Sequence, residues 1–514
     1  MRGLGSNRHE VVVRAVSTFR HVDWHAKLRI LAAMLGVGIC AVFFGLLATT
    51  ANPILIGLGA GIILGPVLLL MPELTIWVVL VLGLLMGVVS ASPQFSKAIW
   101  IVSILSFMLL LSSLVNMAWN KQRQVPGFML LALVFMLYAI LVSMIQWHSF
   151  GEFVAGFKRY FQSFGLMVAL TMLIFSPPSY VRWRRFLLVV ALLQFPFALY
   201  ELLVLVPQRG GLALSSETTD VIAGTFGANL QGGSPNSVMV TYLFVALSFL
   251  VARWRSGLIG SGPFYLLALI CLLPLGMGET KIAVFMLPLV GFILIRKDLA
   301  HSPLRYVPAL LAVAVLTMML GYLYVTVIMH SNLDEVVNTT LRYNVGDQGY
   351  SRRQLLNRLT SITFWFKEQG FHDPASFLIG NGLGSSFSSL GALGGHLGLK
   401  YLNYGINLTA GSTLLWDTGL IGLVLFVSIF VAAWVAAGRL YHTVSDPAVK
   451  ADALAIQAAI SLFLLFLFYS DSIVNLVSME LIYAVVLGYL GYLLNLHGLV
   501  GKLPTNEHKI KSHV

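Results

Sequence analysis

The sequence predicts an all-α, polytopic membrane protein of about 14 (12–14) transmembrane helices, with one long outward loop that contains short helices. Three observations predict it. The 514 residues are 58% hydrophobic and only 10% charged, against about 25% charged in a soluble protein. No soluble core hides that much apolar surface, so lipid must be the solvent for most of the chain. Mean hydropathy is +0.87. Apolar stretches of roughly 17–25 residues recur along the whole length, where a β-barrel would alternate in segments of about ten.

Fourteen apolar runs read as spans, near 28–49, 53–70, 74–91, 98–117, 127–146, 161–176, 185–206, 236–252, 257–277, 280–295, 306–329, 412–436, 454–470 and 473–496. The runs 161–176 and 280–295 are short, which leaves tilted or partly re-entrant segments, and a count of twelve or thirteen, as alternatives. The first 27 residues are basic and polar, and no short cleavable signal precedes the run at 28–49, which is expected to stay as an anchor. Cys40 and Cys271 both fall within apolar runs and read as small core residues, not as a disulfide or a metal site.

The net charge of +12 matters through its distribution, because lysine and arginine collect on the cytoplasmic side of short loops. With the N-terminus inside, the inside segments carry 21 Lys and Arg, including "RWRR" at 182–185 and "RWR" at 253–255, and the short outside loops carry five: Lys97, Lys158, Arg159, Arg209 and Lys281. The other six lie in 330–411, a long segment exempt from the rule. The division is then a basic tail (1–27), an N-terminal bundle (28–206), an outward loop (207–235), central helices (236–329), a large outward loop (330–411), C-terminal helices (412–496) and a tail (497–514), with both termini cytoplasmic.

Function is expected at the outer face, because loops as long as 330–411 are uncommon without one. "GMGETKIAVF" (276–285) places Glu279 and Lys281 at the tip of a tight outward hairpin. Two readings stand: a solvated turn with a snorkelling lysine, or a cation aimed into an outward cavity. In "SRRQLLNRLTSITFWFKEQG" (351–370), Leu355, Leu359, Ile362 and Phe366 recur at helical spacing and Ser351 is a candidate N-cap, so an amphipathic helix is expected at the outer interface. Its arginines either clamp phosphate oxygens or touch lipid headgroups. The run Gly380–Asn381–Gly382–Leu383–Gly384 turns tightly enough for backbone to approach a ligand, but it lacks the strand and helix of a dinucleotide site.

"SRRQLLNRLTSITFWF", "FLIGNGLGSSF" (377–387), "LLWDTGLIGLVLF" (414–426) and "GTFGANLQGGSPNSVMVTYLF" (224–244) together resemble the bacterial O-antigen ligases and O-antigen polymerases, over roughly 150–440. In that family a large periplasmic loop carries a basic helix and a G-x-G stretch, and an acidic residue opens the next span, here Asp417. Lys281 stands where the family often has an arginine. The family's His-Asn pair is missing; Leu408 and Thr409 hold its place. Either His396 takes the role or this chain works without it.

The resemblance implies an enzyme of the bacterial inner membrane. It would transfer or polymerise glycan from an undecaprenyl-diphosphate-linked donor onto an acceptor sugar hydroxyl, in O-antigen or exopolysaccharide synthesis. The acceptor would be a glycan or lipid A core, and other polysaccharide-assembly proteins would be partners, with no nucleic acid and no cofactor. A diphosphate leaving group needs fixed cations, for which Arg352, Arg353, Arg358, Lys281, Arg209 and Arg159 are the candidates, with Lys158 beside them. An acceptor hydroxyl benefits from a base, for which His396 is favoured over His372. Glu279 and Asp417 are further polar candidates, and no acidic or His/Cys spacing calls for a metal. A transporter or flippase of lipid-linked sugars, or a non-catalytic assembly subunit, are the alternatives. No internal duplication of the transporter kind is visible.

Overall fold

The computed structural model describes residues 65–85, 87, 99–119, 123–208, 221–230, 235–278, 282–323, 326, 333–346, 356–370, 372–389 and 393–500. The chain divides into two units, Met1–Met71 and Pro72–Val514. In the first, 65–70 are helical; every element that follows belongs to the second.

The described residues form helices and connecting turns, with no strand among them. In chain order the helices are α1 (Pro72–Leu85), α2 (Ile99–Trp119), α3 (Gly127–Ile145), α4 (Phe150–Phe161), α5 (Phe164–Met172), α6 (Pro177–Tyr200), α7 (Asn236–Arg255), α8 (Ser261–Met277) and α9 (Ala283–His301). They continue with α10 (Pro303–Leu323), α11 (Leu333–Val345), α12 (Arg358–Gln369), α13 (Pro374–Ile379), α14 (His396–Lys400), α15 (Ala410–Thr443), α16 (Pro447–Tyr469), α17 (Ser472–Asn475) and α18 (Val477–Leu496). Seven among the described residues are long and apolar enough to cross a bilayer: α2, α3, α6 with its continuation to Gln208, α7, α15, α16 and α18. The apolar helices α1 and α8 are shorter. The expected span at 28–49 and most of that at 53–70 lie outside the described residues.

The expected span at 161–176 is corrected. Its helix, α5, has nine residues, all buried. At 1.5 Å per residue it covers about 13 Å, less than half of a hydrocarbon layer about 30 Å thick. The chain breaks at Gln162 and Ser163 because both side chains turn to the buried Glu480 carboxylate, Gln162 Nε2 donating at 2.6 Å and Ser163 Oγ at 3.5 Å. α5 is thereby held between α2 and α18.

The run at 280–295, read as short, extends as α9 to His301, because Arg296, Lys297 and Asp298 continue the helix past its apolar part. Likewise "RWRR" lies within α6, which starts at Pro177. Pro fits the first turn of a helix, where its missing N–H costs nothing.

Polar residues collect at the two ends of the bundle. At one end Arg123 donates to the Thr171 carbonyl at 2.7 Å. Arg253 grips Asp452 with two bonds of 2.7 and 2.6 Å, Lys297 meets His442 at 3.0 Å and Arg255 pairs with Asp298. These residues come from the segments expected inside. At the other end the long loop packs on the helices around its own core of Trp365, Leu397, Ile406, Leu415 and Trp416. Leu415 and Trp416 belong to α15, so the loop is welded to the bundle by shared apolar burial.

The helix expected over 351–370 is shorter. Residues 351–355, including Ser351, lie outside the described ones, and 356–357 are not helical. Asn357 is the N-cap: its side chain accepts from Thr360 N at 2.8 Å, and Thr360 Oγ1 accepts from Asn357 N at 2.7 Å. This reciprocal box satisfies two amide donors that the first turn leaves open. The buried face also differs. It holds Thr360, Ser361, Trp365 and Gln369, while Leu359 and Phe366 are 41% and 50% exposed. Trp365, the larger anchor, takes the core side.

Candidate functional site

The end of the bundle that carries the long loop is organised by one carboxylate. Asp417, 1% exposed, accepts four hydrogen bonds: from Tyr160 Oη at 3.1 Å, Gly384 N at 3.1 Å, Ser385 Oγ at 2.8 Å and Ser386 N at 2.8 Å. The glycine-rich loop does cradle an anion, but the anion is the protein's own side chain. The loop is also pinned by Asn381 N to the Trp416 carbonyl at 3.0 Å and Gly382 N to the Asp417 carbonyl at 2.9 Å. These bonds are possible because α15 kinks at Gly419 (φ 66°), which frees its carbonyls for the loop. A side chain at Gly419 would suffer both the left-handed backbone and a Cβ 2.4 Å from the Leu378 carbonyl oxygen.

The loop lies flat on α4. A Cβ at Gly156 would sit 2.4 Å from Leu383 C, and one at Gly384 would sit 2.7 Å from the Glu152 carbonyl oxygen. Glu152, Gly156 and Arg159 stand at positions i, i+4 and i+7, which share one helix face. Glu152 is 4% exposed. It accepts from the His396 backbone N at 3.0 Å, and its two oxygens lie 3.0 and 3.2 Å from His396 Nδ1. That contact leaves Nε2 as the outward nitrogen of His396, whose side chain is 28% exposed. The His148 ring stacks on His396 with centroids 4.4 Å apart.

Two turns along the same face, roughly 10 Å away, the Arg159 guanidinium lies over the Phe387 ring. Among the described residues it has no hydrogen bond or ion pair. Burial pushes Arg159 down to about 10, against the pull of the Asp417 and Asp471 carboxylates, so it stays charged at neutral pH. Burial pushes the Asp471 carboxyl up to about 6. The neighbouring Lys158 sits over the Trp100 ring, and burial pushes it down to about 8.

The expected site residues divide clearly. Arg159, Asp417 and His396 come together around α4. Arg358 does not join them: its Nε donates to the Tyr469 carbonyl and its Nη1 to Asn344 Oδ1, both at 2.7 Å, so it closes the end of α16. His372 is exposed, at the turn before α13. Arg209, Glu279, Lys281, Arg352 and Arg353 lie outside the described residues. Thr409, at the place of the family's His-Asn pair, is the N-cap of α15 in a capping box with Ser412.

Glu152, His148 and Tyr160 are absent from the residues singled out in the sequence. Glu152 reads there as a first-turn acid complementing a helix dipole, and its partner His396 is 244 positions away. His148, Glu152 and His396 each bring a ligand atom within 4.8 Å of the others, a donor set that suits a divalent transition metal. No local spacing pattern announces it. Glu201, just past the end of α6, meets no cation among the described residues: it accepts from Ala223 N at 2.9 Å and Gly224 N at 2.7 Å, tying residues 223–224 to the bundle.

Fold and site define an all-helical membrane protein with a polar site built under a loop at one end of its bundle. Comparison with known protein families and with curated proteins finds no match to the chain.

Proposed function

We propose that the chain transfers glycan from a polyprenyl-diphosphate-linked donor to an acceptor sugar hydroxyl at the periplasmic face of a bacterial inner membrane, as a polysaccharide ligase or polymerase. The observation that carries this reading is the placement of a histidine–carboxylate dyad and a half-buried arginine with no hydrogen bond among the described residues on one face of α4. The acceptor oxygen attacks the anomeric carbon of the donor, and its proton passes to His396 Nε2. Glu152 holds the opposite nitrogen and stabilises the imidazolium that forms. The bond from the anomeric carbon to the diphosphate oxygen breaks, and Arg159 meets the negative charge that the leaving diphosphate gains. Asp417 acts only by positioning the loop. The orientation rests on the inside collection of short-loop cations, and a count of about 14 spans remains the proposal for the whole chain.

The test is transfer in proteoliposomes with a synthetic polyprenyl-diphosphate oligosaccharide and an acceptor glycan. His396→Ala and Arg159→Ala should each cut product formation by about a hundredfold or more while the protein still purifies folded. Full turnover in both would end this reading. A second reading, transport of lipid-linked sugars, draws on the α4–α5 break over buried Glu480, since broken helices at depth mark transporter sites. Movement of a fluorescent lipid-linked sugar across the bilayer without any glycan joining would favour it.

A further inference from the structure

The end of the bundle opposite the loop carries a second site. A cavity of about 300 Å³ opens between α1, α6, α7 and α18, walled by Leu84, Leu187, Val245, Phe249, Leu481 and Val485. Its volume is at the lower end of the roughly 300–1,000 Å³ of small-ligand sites. Arg184, Arg185 and Arg253 line it too. Asp452 is the carboxylate that answers them, and it is already engaged. Arg253 holds it with two bonds of 2.7 and 2.6 Å, Tyr489 Oη donates to it at 2.7 Å, and Arg184 stands 3.7 Å away. Arg185 has no partner among the described residues. Three guanidiniums therefore face one saturated carboxylate. Trp183 also lines the cavity. It is 3% exposed, and its Nε1–H is buried with no acceptor, although an indole N–H usually finds a partner when buried.

A surplus of positive charge beside an apolar chamber asks for one kind of occupant. It must carry an anionic head rich in acceptor oxygens and an alkyl chain. We propose that this cavity binds an anionic phospholipid of the surrounding bilayer. Arg184 and Arg185, which line the cavity, hold the phosphate, and one acyl chain enters the apolar chamber. Bidentate guanidinium–phosphate pairing supplies the head contact, and burial of the chain supplies the rest. A neutral lipid leaves the arginines unanswered, and a free phosphate ester leaves the chamber empty. This site is independent of glycan transfer.

The test uses the full chain, delipidated in detergent, titrated with phosphatidylglycerol, diacylglycerol and sn-glycerol 3-phosphate. Native mass spectrometry reads the adduct and thermal unfolding reads its effect. Phosphatidylglycerol should give one retained adduct and raise Tm. Diacylglycerol should bind at least tenfold more weakly. Arg185→Ala, at an exposed residue that leaves the fold intact, should weaken phosphatidylglycerol at least tenfold, and Ala246→Trp, which fills the chamber, should abolish the adduct. Equal binding of diacylglycerol, or unchanged phosphatidylglycerol binding in Arg185→Ala, would overturn the proposal. Equally tight binding of sn-glycerol 3-phosphate would make this a site for soluble phosphate esters and overturn the lipid assignment.

Discussion

His396 and Glu152 are joined twice: the Nδ1 of the ring lies 3.0 Å from one carboxylate oxygen, and the His396 backbone N–H donates to the other at 3.0 Å. The double contact fixes both the ring plane and the nitrogen left for chemistry. Loss of a general base costs about 10²–10⁴ in rate, so His396→Ala should lower kcat by that range with KM for the donor little changed. Glu152→Gln keeps the size but not the charge. It should lower kcat less than His396→Ala, and the double variant should be no worse than His396→Ala alone. Single-turnover kinetics in proteoliposomes check both.

Arg159 feels the Asp417 and Asp471 carboxylates but is hydrogen-bonded to neither among the described residues. Arg159→Ala should lower kcat by roughly 10²–10³, the scale for removing one donor to a developing charge. Arg159→Lys should restore part of it. Thermal unfolding should fall only slightly with Arg159→Ala, because no hydrogen bond is broken and only the contact with the Phe387 ring and the pull of the two carboxylates are lost. A fall in Tm without a fall in rate would make Arg159 a packing residue only.

Asp417→Ala strips the acceptor from two hydroxyls and two backbone amides. Each buried group left unsatisfied costs about 1–3 kcal/mol, so a loss of about 3 kcal/mol or more is expected, seen as a fall in Tm. Gly384→Ala should act in the same direction, since Gly384 has φ 84° and its Cβ would press on the Glu152 carbonyl. Both variants should also disturb the His396–Glu152 contact.

The pH dependence of stability has a signed prediction. Asp471 has its folded carboxyl raised from 3.8 to about 6 by burial, so the native state binds this proton more tightly than the unfolded chain. The contribution is present in full below the unfolded value and is lost as pH rises through about 6. Asp471→Asn should flatten the decline in Tm between about pH 4 and 6. An unchanged slope would assign that decline to other carboxylates.

Chelation separates two uses of one cluster. If His396 works as a base, prolonged EDTA treatment should leave glycan transfer intact, and added Zn²⁺ should inhibit by occupying His148, Glu152 and His396. His148→Ala should relieve that inhibition. Loss of activity on chelation, restored by Zn²⁺, would instead make the trio a working metal centre.

What could be read from the sequence follows from the range of each signal. The run at 127–146 matches α3 within a residue because an uninterrupted apolar stretch is a local property. The run at 161–176 misleads because its apolar character is real but its length is cut by Glu480, which is 318 positions from Gln162. Arg358 looked like a phosphate ligand among other arginines, yet a backbone carbonyl at the end of α16 claims it. His396 could be singled out by its place in the loop. Glu152 could not, since only the fold brings a first-turn acid beneath that loop. Asp417 stood out by resemblance, and its four donors belong to tertiary structure alone.

Because Glu152 and Arg159 ride on one uninterrupted helical segment, α4 works as a ruler whose graduations are peptide units. A single residue inserted between them would swing everything beyond by about 100° around the axis. Dyad and guanidinium would then face different surroundings with every side chain still present. The spacing of seven is thus a quantity that lengthening or shortening the chain, rather than substitution, can probe.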